Sequence, residues 1–135
     1  MKIRPVVAAM VAVYVLNYFF YPTLSGWWSE VDVPLHFFGG FLSGLLGLAC
    51  WTWLQTRFHV KNVPVWAVAC WAVCFTALVA VSWELYEFGV DAWHQSRGIT
   101  AIVQQPSVTD TMADMALGLI GAAVSTLTLF RRSTS

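Results

Sequence analysis

Apolar residues run almost unbroken through four stretches of this chain, 6–21, 33–53, 64–85 and 111–130, and polar residues gather between them. A bilayer core takes about 20 mostly apolar residues in helical form, so each stretch is predicted as a transmembrane helix. Pro34 and Pro64 stand where first helical turns would begin, positions at which the missing N–H costs nothing. Lys2 and Arg4 ahead of the first stretch also suit a secretory signal, but no small-x-small cleavage site follows, and the run reads as a retained helix. The expected fold is all-α: one integral membrane domain over 1–135, built as a four-transmembrane-helix bundle.

Within three of the stretches the polar residues are not scattered. Residues three or four apart share a helix face. On the second stretch Asp32 and His36 lead inward to Gly40, Ser43, Gly44 and Gly47. On the third, Glu84 and Glu87 lead inward to Ala80, Ala77, Val73 and Cys70, with Asp91 continuing the stripe outward if the helix persists. On the fourth, Asp110 and Asp114 are followed by Gly118, Gly121 or Ala122, and Ser125. Small residues in a membrane helix mark faces of close approach. Packing the three stripes together would bring the acids and His36 into one pocket, with Asn17 and Tyr21 of the first stretch as a polar wall.

Composition sharpens the membrane reading. Of 135 residues, 59% are hydrophobic and 10% charged, more apolar surface than a soluble domain of this size hides. Net charge is zero, which gives no general argument for a nucleic-acid partner. Cys50, Cys70 and Cys74 all fall inside apolar runs and read as small core residues. Six of the seven basic residues (Lys2, Arg4, Arg57, Lys61, Arg131 and Arg132) fall on one side of a four-span arrangement, and Arg97 on the other. The positive-inside rule then puts both termini in the cytoplasm of a multi-pass protein of the bacterial inner membrane. Trp51, Trp53 and Trp66 would form an inner aromatic belt, and Trp27, Trp28, Trp83 and Trp93 an outer one. Every acid, from Glu30 to Asp114, lies at the outer end.

Converging carboxylates repel one another, and partial burial strengthens the repulsion. Protons, Arg97 from the outer connection, or a cation would neutralise them. Four carboxylates (Glu84, Glu87, Asp110 and Asp114) with the imidazole of His36 suit a divalent ion such as Mg, Mn or Zn. Asp32, one turn from His36, would orient it as a ligand or as a general base. Blander roles compete: Asp110 as a helix cap after Ser107, Asp32 as a cap, Glu84 and Glu87 as interfacial acids wetted from outside. His59, beside Arg57 and Lys61, suits headgroup contact, and Trp71 suits packing. The connection from Tyr86 to Asp110 is long enough to fold over the pocket as a lid.

These residues resemble two groups of small bacterial membrane proteins. The YjdF-type uncharacterised family has a W-E-x-x-E turn and a D-T-x-x-D-M helix start, met here by Trp83, Glu84, Glu87, Asp110, Thr111, Asp114 and Met115. The VanZ-like family has a D-x-x-x-H-F entry, met by Asp32, His36 and Phe37, though Asp114 stands where its later pattern has Asn before Gly118. The resemblance implies a multi-span envelope protein with a polar site and supplies no substrate. Three functions follow as expectations. The first is an outward-facing site holding a divalent cation, with a lipid-linked or phosphate-bearing substrate and His36 moving a proton. The others are a proton- or ion-coupled carrier, and a structural subunit binding a membrane partner or a second copy through its small-residue faces.

Overall fold

The computed structural model describes residues 3–24, 31–101 and 103–133, without the side chains of 3, 16–18, 20–24 and 129–133. Asn17, Tyr21, Trp27, Trp28, Glu30, Arg131 and Arg132 therefore lie, as side chains, outside the described residues. Among those described, the chain forms four helices: α1 (Ile3–Leu24), α2 (Asp32–Phe58), α3 (Val65–Ser96) and α4 (Val108–Ser133). Three are long and apolar enough to cross a membrane, over Asp32–Phe58, Val65–Ser96 and Val108–Thr128; the described apolar part of α1, Arg4–Val15, is shorter.

Helix ends follow local chemistry. His59 stops α2 in the left-handed conformation (φ 55°) and gives its N–H to the Gln55 carbonyl. Asparagine and histidine are among the few side chains that tolerate that region. Pro64, extended, stands just before α3, its carbonyl accepting the Ala67 N–H at 3.0 Å. The third helix runs well past the predicted end, to Ser96. Its 32 residues rise about 48 Å, against roughly 30 Å of hydrocarbon, so α3 outreaches its neighbours at the acidic end. The predicted connection from Tyr86 to Asp110 shrinks to residues 97–107.

The bundle is packed with its small residues inside. α2 and α4 form the closest pair, and a Cβ added at Gly40 would run into the Gly118 backbone, one at Gly121 into the Phe37 carbonyl. Gly44 faces Ala122 and Ser125, while Gly47 takes Phe75 and Ala72 of α3. Among the described residues the largest fully buried side chains are Thr76, Ser43 and Ser125, whereas Leu78 is 67% exposed and Leu127 61%. Water would drive the opposite sorting. Lipid does not, because tails are as apolar as leucine and association rests on close backbone approach. The buried hydroxyls of Thr76 and Ser125 bond back to Ala72 and Ala122 of their own helices.

Two expectations about α3 are corrected. Its buried line is Ala72, Thr76, Glu84 and Glu87, not Cys70, Val73 and Ala77. Alternating steps of three and four follow a line nearly parallel to the axis. Successive steps of four follow an inclined ridge, which α3 needs in order to meet α2 at Ala72 and α4 near Ala80. As a result Cys70 and Cys74 are exposed on the face of α3 turned away from the bundle; Cys50, on α2, is half-buried, and none of the three is a core residue of the expected kind. Trp71, expected to pack, does so and also donates its indole N–H to the Gly47 carbonyl at 2.9 Å, with Trp51 tilted against it.

Candidate functional site

The acidic ends of α2, α3 and α4 meet. His36 Nε2 lies 3.4 Å from Asp32 Oδ1 and 3.9 Å from Asp114 Oδ2. Two groups of three side chains present ligand atoms within 4.8 Å of one another: Asp32, His36 and Asp114, and His36, Glu84 and Glu87. Both share His36, so one imidazole joins a carboxylate pair from α2 and α4 to a glutamate pair from α3. Glu84, Glu87 and Asp114 are each only 6% exposed. Helix periodicity places them there: Glu84 and Glu87 are three apart on the inward face, Asp32 and His36 four apart, and Asp114 lies one turn above the Gly118–Gly40 contact.

The remaining predicted residues separate. Asp110 belongs to neither group; it sits in the first turn of α4, where its backbone N–H bonds to Ser107 Oγ at 3.1 Å. The serine starts the helix, which leaves Asp110 a full turn outward of Asp114. Arg97, offered as a neutralising charge, is exposed at the end of α3 and makes no ion pair among the described residues. Thirteen residues of helix separate it from Glu84, about 20 Å of rise. Asp91 continues the α3 stripe, but it turns to the returning chain and accepts the backbone N–H groups of Gln104 and Gln105, both at 3.0 Å through Oδ2.

Two donors to which the sequence reading gave no role at the site complete the surroundings. Gln105 Nε2 donates to Glu84 Oε2 at 2.8 Å and to the Glu84 carbonyl at 2.9 Å. Trp83, expected in the outer belt, donates its indole N–H to Glu87 Oε1 at 2.7 Å. Each donor leaves the far oxygen of its glutamate unengaged by that bond, and Glu84 Oε1 is fully buried with no hydrogen-bond partner among the described residues. A buried carboxylate oxygen left without a partner is costly. The Gln105→Ala variant is expected to lose about 1.5–3 kcal/mol of stability. Hydrogen exchange should quicken at amides 104 and 105; unchanged protection there would show that Asp91 alone holds the segment.

Below the cluster lies a cavity of about 360 Å³ between α1, α2 and α3, with His36 and Asp114 in its wall. No curated protein and no solved structure matches this chain. A family profile does match, over residues 3–135, and its description is a predicted membrane protein family, DUF2238. With three helices able to cross a bilayer and a core sorted for lipid, the chain belongs to that family of membrane proteins.

Proposed function

We propose that the protein spans the bacterial inner membrane four times, with both termini in the cytoplasm, and binds one divalent cation at the outer end of its bundle. Glu84 Oε1 carries this reading: a buried carboxylate oxygen without a partner among the described residues, on a side chain grouped with His36 and Glu87. Charge supports it too. Four carboxylates face one imidazole, and the described basic residues stay away. Two donors, Gln105 and Trp83, hold one oxygen of each glutamate and so fix the orientation of the other, as outer partners of ligands commonly do. Because both triads depend on His36, the arrangement suits one ion per chain. Oxygen donors with a single imidazole favour Mg, Mn or Zn over softer metals. The YjdF-type motifs supply Glu84, Glu87 and Asp114 and agree with this reading. A cation here would serve transfer or hydrolysis at a phosphate group, by polarising an oxygen of the substrate.

Metal analysis of gently purified protein tests the proposal. The wild type is expected to carry close to one Mg, Mn or Zn per chain and Asp114→Ala to carry none. Both proteins at background would refute it.

A further inference from the structure

The cavity under the cluster differs from the cluster in chemistry. Its wall is mostly apolar, with Met10, Leu35 and Val79 among the side chains from α1, α2 and α3, and its polar end is His36 with Asp114. From His36 to Ser43 on α2, and from Trp83 to Thr76 on α3, the lining runs seven residues, about 10 Å of depth. The volume, about 360 Å³, lies within the ordinary range of small-molecule sites, roughly 300–1,000 Å³. Among the described residues the backbone of α1 comes close to α2 alone, and the backbones of α1 and α3 do not approach each other. The cavity occupies the space that this separation leaves between α1 and α3, and side chains of both helices line it. One aromatic pair bridges it at the outer end: Tyr14 stands edge-on to Trp83, ring centres 5.8 Å apart, and Trp83 is the residue that donates to Glu87.

We infer that this slot takes one hydrocarbon chain of a phosphate-bearing lipid from the bilayer, and that the lipid's phosphate sits at the His36–Asp114 end, bridged to the carboxylates by the bound cation. The inference rests on the cation reading above and adds the substrate class to it. Three observations select the occupant. The cavity wall belongs largely to the membrane-crossing helices α2 and α3, among which water-soluble ligands are scarce and lipid tails abundant. The slot is mostly apolar along its depth and carries ionisable side chains only at one end, which matches a chain with a head. The polar end is acidic, so a phosphate is repelled without the cation and drawn in with it. Gly39 marks the wall where the chain lies: it lines the slot, and a Cβ there would meet nothing within 4 Å.

Gly39 also separates the two readings experimentally. A Gly39→Leu side chain fills the slot without touching the carboxylates, and Val79→Phe does so from the opposite wall should the first variant fail to fold. The probe is dodecyl phosphate added to detergent-purified protein with Mn²⁺ or with a chelator, and native mass spectrometry counts ion and lipid on each chain. Wild type with Mn²⁺ is expected to hold one ion and one dodecyl phosphate, and to lose at least nine-tenths of the lipid on chelation. Either filled variant should keep the ion and bind dodecyl phosphate at least about tenfold more weakly. Undiminished lipid on both variants would overturn the slot, as would a wild type that holds Mn²⁺ but no lipid. Dodecylammonium binding in place of the phosphate, or lipid retained equally without metal, would overturn the bridged phosphate. A wild type without any ion would instead refute the cation reading itself.

Discussion

Glu84→Gln protein is expected to bind Mn²⁺ at least about 100-fold more weakly than wild type and yet, stripped of metal, to be about 1–2 kcal/mol more stable. The two effects have opposite signs because Glu84 serves two masters. Its Oε2 accepts from Gln105, a bond that the glutamine carbonyl can inherit with little change of shape. Its Oε1 is buried without a partner among the described residues and shares a carboxylate-rich pocket with Glu87. Replacing the charge by an amide relieves that repulsion in the metal-free protein and removes a ligand from the loaded one. Ion titration by calorimetry and unfolding in chelator together read both signs. If Glu84→Gln weakens the metal-free protein and leaves Mn²⁺ affinity untouched, the carboxylate is only a hydrogen-bond acceptor for the returning chain.

The second large effect belongs to two glycines that are neighbours in sequence. Gly40→Ala is expected to cost about 3 kcal/mol or more, since its Cβ runs into the Gly118 backbone and backbone cannot move aside as a side chain can. Gly39→Ala, one residue earlier, is expected to be neutral or to stabilise by up to about 1 kcal/mol, because its Cβ meets open space and alanine favours the helix. Unfolding by graded denaturing detergent measures both. Equal behaviour of the pair would mean that α2 presents a different face to α4.

Much of this was legible in the residues. The stripes from Asp32 through Gly47 and from Asp114 through Ser125 predicted the faces that α2 and α4 bury, because each packs along one nearly straight line. The α3 stripe was read about half right. Its glutamates face inward as expected, but its inner half winds round the helix to reach two neighbours, and a periodicity count within one segment does not contain the second neighbour. Cys70 and Cys74 went with that error. Gln105 and the Trp83 indole escaped notice for another reason. A glutamine in a loop and a tryptophan near a membrane boundary are ordinary on their own, and only the return of residues 97–107 along α3 brings an amide to Glu84. The composition-based case for lipid held, and the inverted sorting of small and large side chains gives it independent support.

Asp91 has a mechanical consequence. It grips the amides of two successive residues, and the second of them, Gln105, holds Glu84. Seven residues of rigid helix link Asp91 to Glu84 from below, so the two attachments and the helix close a stiff ring. A tug on the outer segment cannot be absorbed by that ring without shifting a glutamate oxygen. Any shift of Gln105 against α3 therefore also moves the amide that holds Glu84.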